Sequence, residues 1–193
     1  MTVSQMTLSN MTESHQQRLH LLAEEVLRWC GLPVVYVRPT VFLENPFFTT
    51  MAAASITRDG TIGLPFGSGK TSPVAAEDVA AVIATILADP SSHIGKTYEL
   101  TGPRAEDLNA IAAEYSAALG RTIKYRDVPF APWREALEKL KLPPHVTGHL
   151  ATMAQLHAAN RYDRMTRDVE KIIGRPATSV RDFVAKHAGL FQR

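Results

Sequence analysis

The sequence predicts an α/β fold with a parallel sheet and a small, mostly helical lobe at its C-terminal end. An unbroken apolar strand, "VVYV" at residues 34–37, follows directly on an amphipathic helix, which is typical of a parallel strand buried on both faces. Strand-like and helix-like segments then alternate, and the pattern becomes helical from Pro132 onward. We therefore place the α/β portion at residues 1–130 and the helical lobe at residues 131–193.

Composition restricts the classes of function. The 193 residues suffice for one domain, or for one domain and a small lobe. The net charge is only +2 and the basic residues are dispersed, so we expect neither nucleic acid nor membrane as a partner. No apolar run reaches membrane-spanning length, and the polar N-terminus does not resemble a signal peptide, so the expected location is cytoplasmic. The single cysteine, Cys30, is expected to be a small buried hydrophobic residue.

The first elements form a β-α-β pattern. Residues 2–6 are a short candidate strand, and residues 14–30 predict an amphipathic helix. Ser14 is a plausible N-cap and Gly31 is well placed to end the helix. The apolar face expected to be buried holds Leu19, Leu22, Ala23, Val26, Leu27 and Cys30.

The later elements follow from turn residues and periodicity. After the loop that begins at Arg38-Pro39, residues 47–56 predict a helix, and residues 57–75 predict turns and a short hairpin. Residues 76–90 predict a helix in which Asp78 is a structural residue of the first turn. Then follow the strand "KTYELTG", the helix "AEDLNAIAAEYSAALG", the strand "TIKYRDV", and helices interrupted at "LPPHVTG" and "GRPAT".

Neither common phosphate-binding motif is present in the sequence. "GSGKT" at residues 67–71 resembles the end of a P-loop, but Leu64 stands where the first glycine belongs and Pro73 blocks the required helix. We expect a surface turn there. No GxGxxG spacing follows a strand, so these residues alone do not supply the usual pyrophosphate cradle of a dinucleotide.

A series of segments carries a family resemblance. "TVSQM", "HLLAEEVLRWCGLPVVYVRPTVFLEN", "SPVAAEDVAAVIATIL", "GKTYELTGP" and "IIGRPATSVRDFV" resemble successive landmarks of the NmrA-like proteins, which are atypical short-chain dehydrogenase/reductase relatives. The resemblance implies the C-terminal part of a Rossmann-type sheet, without the first four strands and the glycine-rich loop. It implies NAD(P)H-dependent reduction of a quinone-like or carbonyl substrate, or alternatively a non-catalytic NAD(P)-sensing regulator that acts through a protein partner. With the glycine-rich loop missing, we expect NADP or NAD to bind this chain weakly or not at all.

By the same resemblance, Ser4 and Gln5 lie beside the nicotinamide ribose, at the end of the family's fifth strand. His20 and Glu24 occupy the positions of the tyrosine and lysine of ordinary short-chain dehydrogenases. Four residues apart on a helix, they share a face. They are either a polarised pair in which His20 transfers a proton, or a partly solvated ion pair without a catalytic role.

The loop "RPTVFLEN" is implied to pack along the nicotinamide. The resemblance assigns cofactor contacts to Pro39, Thr40, Val41 and Phe42, while Asn45 fixes the loop or meets substrate. On chemistry alone, Pro39 stiffens the loop and Phe42 offers a flat apolar wall. Arg38 either meets phosphate or forms a surface ion pair, and a loop without any ligand is the other interpretation.

The C-terminal lobe is implied to cover the substrate pocket. It holds His145, His149 and His157, whose spacing matches no zinc-binding motif, so no metal is expected. A narrow sheet with an unpaired edge predicts self-association of the chain, most simply as a homodimer. The expected partners are thus a small-molecule substrate and a second copy of the chain.

Overall fold

The computed structural model describes residues 1–12 and 14–192 and confirms the α/β prediction. The strands are β1 (Thr2–Val3), β2 (Tyr36–Pro39), β3 (Thr61–Leu64), β4 (Thr97–Leu100) and β5 (Lys124–Asp127). A parallel three-stranded sheet has the order β1-β2-β4, and a second parallel sheet pairs β3 with β5. The helices are α1 (His15–Trp29), α2 (Thr50–Asp59), α3 (Ala76–Ala88), α4 (Leu108–Leu119), α5 (Phe130–Glu138), α6 (Pro144–Ala158), α7 (Asp168–Ile173) and α8 (Val180–Lys186). None of the described helices is long and apolar enough to cross a bilayer.

The predicted β-α-β unit is present at the start of the chain. Ser14 caps α1 by accepting a hydrogen bond from the backbone N–H of Gln17, and Gly31 follows the helix in the left-handed conformation. The backbone N–H groups of Ser4 and Met6 donate to the carbonyls of Val37 and Pro39, both at 2.9 Å. Parallel pairing therefore continues past β1 and holds residues 4–6 against the end of β2.

The two faces of the first sheet are covered differently. Val35, Val37 and Leu100 belong to a buried apolar cluster with residues of α3 and α7. On the opposite face, Arg38 contacts α1 through Glu24, and Tyr36 lies 5.8 Å beneath the guanidinium of Arg28. The sheet is thus apolar toward α3 and polar toward α1.

The predicted buried face of α1 is wrong. Leu19, Leu22 and Val26 are 50%, 54% and 44% exposed, and Cys30 is exposed as well, while Glu24 is buried. Glu24 accepts hydrogen bonds from Ser4 and from Arg38, whose Nε lies 3.0 Å from its Oε1. A buried carboxylate needs such partners, and they lie on the sheet, so the polar side of the helix turns inward.

Two details of the strands also differ from the prediction. The segment at residues 57–75 does not form a hairpin, because its strand β3 pairs in parallel with the distant β5. The crossover runs through α4, which packs on both strands of this sheet. The loop does not begin at Arg38-Pro39 either, since β2 continues through Pro39, which pairs with Leu100.

The helical region after residue 130 follows the prediction with one shift. The break at "GRPAT" separates α7 from α8, but α6 already begins at Pro144, so most of "LPPHVTG" is helical. Helix α8 packs on α4, and one apolar cluster holds residues from both sides of residue 130. The domain boundary there stays a prediction.

The "GSGKT" segment forms the predicted turn at residues 67–68, but it is not wholly on the surface, because Gly69 and Thr71 are buried. A Cβ atom on Gly69 would stand 1.8 Å from the carbonyl oxygen of His157, which excludes any side chain at this position. Asn160 accepts the backbone N–H of Lys70 at 2.8 Å. The glycine therefore serves close packing between the turn and the end of α6.

We predict that Glu24→Ala lowers the free energy of unfolding by about 2–3 kcal/mol, since it leaves Arg38 without its buried partner. The matched control is Glu25→Ala, which removes a solvent-exposed pair with Arg28 and should cost less than about 1 kcal/mol. Urea unfolding of both variants measures the difference. Equal effects would show that the buried pair does not hold α1 in place.

Candidate active site

A cleft of about 530 Å³ opens where β1 and β2 end. This is the edge at which parallel α/β sheets bind ligands. Residues 3–6, the loop after β2, the N-terminal half of α1 and one side of α6 form its walls. All eight predicted site residues line it: Ser4, Gln5, His20, Pro39, Thr40, Val41, Phe42 and Asn45. Their individual roles stay predictions.

The loop after β2 is held by backbone hydrogen bonds. The N–H of Thr40 donates to the carbonyl of Leu100, and Val41 and Leu43 exchange hydrogen bonds with Val74. The side chain of Asn45 accepts the backbone N–H of Phe47 at 3.0 Å. Of its two proposed roles, Asn45 therefore has the contact that fixes the loop.

Two polar atoms in the cleft wall have no hydrogen-bond partner within the part of the chain that the structure describes. They are Nε2 of Gln5 and Oγ1 of Thr40, and both are shielded from solvent. Gln5 follows β1 and Thr40 follows β2, so the two lie at the ends of neighbouring strands. Buried polar atoms usually have partners, so each of these atoms would gain a hydrogen bond if its side chain turned toward a polar ligand group in the cleft.

His20 lines the cleft but does not form the predicted pair with Glu24. Glu24 is instead bound by Ser4 and Arg38, and these hydrogen bonds hold the pKa of its carboxyl below the usual value although burial opposes them. Arg38, predicted either to meet phosphate or to form a surface ion pair, forms an ion pair with Glu24 that is partly buried. Glu24 thus holds the helix on the sheet and does not polarise His20.

His149 is a second histidine of the cleft, which sequence reasoning considered only as a metal ligand. It comes from α6, and its Nδ1 lies 2.8 Å from Oγ of Ser14. Burial, and to a smaller degree the nearby His20, lowers the pKa of His149. The two histidines thus reach one cleft from different helices. Only the apolar neighbours of His149, Leu150 and Met153, could have indicated that this side of α6 faces inward.

The cleft lining is otherwise suited to an uncharged, flat ligand. The lining residues that the structure describes include no Asp, Glu, Lys or Arg. Leu150, Met153 and Val146 of α6 face the loop that carries Phe42. Nowhere in residues 1–12 and 14–192 do three metal-binding side chains cluster. The site can therefore hold an apolar ring and hydrogen-bond its substituents.

A stack of three rings supports the back of the cleft. His157 lies between Phe66 and Tyr162, with ring centroids 4.0 Å apart on each side. Its Nδ1 donates to the carbonyl of Met153 at 2.7 Å, and Nε2 accepts from Thr71 at 3.2 Å. Complete burial lowers the pKa of His157 to about 3. The imidazole is therefore neutral, and it fixes Tyr162, which lines the cleft.

This histidine gives the stability a defined pH dependence. The folded-state pKa of about 3 lies below the unfolded value of about 6.5, so stability is lost as the pH falls from about 6.5 toward 3. Protonation of His157 in the unfolded chain should lower the free energy of unfolding by about 2 kcal/mol between pH 7 and pH 5. Urea unfolding at the two pH values should show that this loss disappears in His157→Phe and persists in His145→Phe, a control at an exposed histidine. An unchanged loss in His157→Phe would contradict the assignment.

Comparison with known proteins gives a consistent result. The model of the NmrA-like family matches residues 15–185. The chain is 30% identical over 161 residues to the NAD(P)H azoreductase of Xenophilus azovorans, covering 83% of this chain and 55% of that protein. It is also 30% identical over 168 residues to a (4-alkanoyl-5-oxo-2,5-dihydrofuran-3-yl)methyl phosphate reductase of Streptomyces griseus. This match covers 87% of this chain and 58% of that protein.

Among solved structures, an NADPH-dependent quinone oxidoreductase of Escherichia coli, complexed with NADPH, superimposes with a TM-score of 0.80. It is 24% identical and is matched over 96% of this chain and 64% of that one, so it shows a shared fold. The chain spans a little more than half the length of the curated relatives it matches.

Proposed function

Because the chain belongs to the NmrA-like family, we propose that it forms the nicotinamide- and substrate-binding part of an NAD(P)H-dependent reductase of quinone-like or carbonyl compounds. The observation that carries this proposal is the pair of unpartnered atoms in the cleft, Gln5 Nε2 and Thr40 Oγ1. Two relatives named as reductases support it, and the name of one, the azoreductase, includes NAD(P)H.

The residues of the cleft fit the nicotinamide end of NADP or NAD. A carboxamide offers one carbonyl acceptor and one NH₂ donor. Gln5 Nε2 can donate to the carbonyl, and Thr40 Oγ1 can accept from the NH₂. Pro39, Val41 and Phe42 line the apolar wall beside them, where Phe42 can pack on the ring. Ser4 remains a proposed neighbour of the ribose, although its hydroxyl already donates to Glu24.

The phosphate end of the cofactor has no corresponding site in this sequence, which lacks the glycine fingerprint. Backbone N–H groups at a helix N-terminus anchor the pyrophosphate in Rossmann proteins. Without such N–H groups, the residues of this chain offer contacts to the nicotinamide ring but not to the pyrophosphate. We therefore propose weak binding of NAD(P) to the isolated chain.

When bound, the cofactor supplies a hydride. The chain's own part is to orient the reactants and to exclude water. Val146, Leu150 and Met153 cover the cleft from α6, so the helical lobe at residues 131–193 acts as the lid over the substrate. With no Asp, Glu, Lys or Arg in the described lining, an uncharged quinone or carbonyl compound is the favoured substrate.

A sensor that binds the cofactor without catalysis is the second candidate. It is favoured by Glu24, which stands at the family's lysine position but is engaged with Ser4 and Arg38. The exposed apolar side of α1 would then meet a protein partner. In a polypeptide that carries both halves of the Rossmann fold, quinone-dependent oxidation of NADPH decides between the two. Cofactor binding without turnover of several quinones would favour the sensor.

We predict that reduced nicotinamide mononucleotide and NADPH bind this chain with similar, weak affinity, with dissociation constants above about 10 μM. Only the nicotinamide half has contacts here, so the adenylate half adds little. Calorimetric titration tests this. Much tighter binding of NADPH would reveal a phosphate site that the sequence does not indicate.

We predict that Phe42→Ala, introduced into a polypeptide that carries both halves of the Rossmann fold, weakens binding of the reduced cofactor by about 1–3 kcal/mol. The reason is that the apolar wall beside the nicotinamide ring is lost. Phe130→Ala, at a half-buried phenylalanine away from the cleft, is the control. Unchanged affinity and activity in Phe42→Ala would remove Phe42 from the site.

We also propose that two copies of the chain associate through α1 and β1. Strand β1 lies at the edge of its sheet. Leu19, Leu22, Val26 and Trp29 of the adjoining helix are exposed at a spacing of three to four residues, as one apolar stripe. An open edge and an apolar stripe are both covered when two copies meet about a two-fold axis.

Light scattering during size-exclusion chromatography should therefore give twice the 21.2 kDa of one chain. Leu22→Lys should shift the protein toward the monomer, because the charge cannot be buried in the interface. Leu87→Lys, at a similarly exposed leucine of α3, is the matched control. A monomer at all micromolar concentrations would contradict the proposed dimer.

A further inference from the structure

The hydrogen bond between Ser14 and His149 determines where the histidine carries its proton. Ser14 is buried, and its Oγ already accepts the backbone N–H of Gln17 at 3.2 Å. The other partner of this oxygen among the described residues is Nδ1 of His149, at 2.8 Å. A buried hydroxyl hydrogen without an acceptor is unfavourable, and Nδ1 is the acceptor that the described residues offer, so donation from Ser14 to Nδ1 is the favoured arrangement.

A histidine that accepts at Nδ1 carries its proton on Nε2 when neutral. Burial and the neighbouring His20 lower the pKa of His149 and keep it neutral at pH 7. Its backbone is held by α6, where Leu150 and Met153 are buried. The cleft is thus lined by an imidazole whose Nδ1 is bound to Ser14 and whose Nε2–H has no partner among residues 1–12 and 14–192.

We propose that the Nε2–H of His149 is the hydrogen-bond donor for the substrate oxygen that becomes negatively charged during reduction, and that Ser14 is its positioning residue. This inference rests on the proposed reductase function. When the hydride adds two electrons to a carbonyl or quinone, the oxygen gains negative charge. Hydrogen bonding from His149 stabilises that oxygen, and solvent water then supplies the proton that completes the hydroxyl.

The surroundings of His149 restrict which groups can take this role. His20 from α1 and Tyr162 are the other titratable side chains in the described lining, which holds no carboxylate, ammonium or guanidinium group. Burial raises the pKa of Tyr162, so its phenol stays protonated. Among these three titratable side chains, His149 is the one whose ring is oriented by a hydrogen bond from a neighbouring element, the bond to Ser14.

The first test needs neither cofactor nor substrate. Nitrogen-15 correlation spectra of the histidine rings should show His149 at pH 7.5 as a single neutral tautomer protonated on Nε2. Ser14→Ala should produce a mixture of tautomers. Ser179→Ala is the matched control, because Ser179 is also a helix N-cap, on α8. A wild-type tautomer protonated on Nδ1 would overturn the proposal.

The second test measures binding of an oxygen-bearing ring without hydride transfer. Tetramethyl-1,4-benzoquinone is the probe, because its fully substituted ring does not alkylate the exposed Cys30. His149→Phe should weaken binding about tenfold, since one hydrogen bond is lost. His149→Gln, which keeps an N–H near the Nε2 position, should stay within about threefold of wild type. His145→Phe, one turn earlier on α6, should have no effect.

The outcomes separate this inference from the reductase proposal. Equal quinone binding in wild type and His149→Phe, or no binding by wild type, would overturn the donor role whatever the cofactor does. A polypeptide with both halves of the Rossmann fold could instead fail to turn over NADPH while His149→Phe still weakens quinone binding. That result would contradict the reductase function and leave a site that binds carbonyl compounds.

Discussion

The ion pair between Glu24 and Arg38 decides how the first helix sits on the sheet. It joins α1 to β2, and the hydrogen bond from Ser4 adds β1 to the same contact. A buried carboxylate is tolerated only with such partners. Because this contact fixes the rotation of α1, it also directs His20 toward the cleft and turns Leu22 and Trp29 toward solvent.

The cleft lies beside this contact between α1, β1 and β2. Parallel pairing of β1 with β2 continues to Met6 and Pro39, so residues 4–6 and the loop after β2 leave the sheet side by side. Gln5 and Thr40 thereby lie at neighbouring strand ends without partners of their own. The N-cap of α1 adds the third wall, because Ser14 binds both its own helix and His149 of α6. The placement of α1 on the sheet therefore brings together three walls of the cleft: residues 4–6, the loop after β2, and the start of α1 with His149.

Local signals in the sequence predicted the elements well, while long-range pairing escaped them. Caps and glycines located α1 and α4, and the family pattern located the eight lining residues. The inward face of α1 could not be predicted, since periodicity shows a stripe but not what lies opposite it. The pairing of β3 with β5 and the contact of Ser14 with His149 join residues 63 and 135 positions apart in the chain, for which a single sequence carries no signal.

The exposed stripe and the cleft are physically connected. Ser4 is held on β1, at the open edge of the sheet, and Glu24 lies on the inner side of the helix whose outer side carries the stripe. A polypeptide that covers this edge would contact β1 and the outer side of α1, the two elements that the hydrogen bond between Ser4 and Glu24 joins. Rigidity gained at the edge lowers the cost of ordering the cleft around a ligand. Association on this surface and ligand binding in the cleft should therefore strengthen each other, because both act on the contact between Ser4, Glu24 and Arg38.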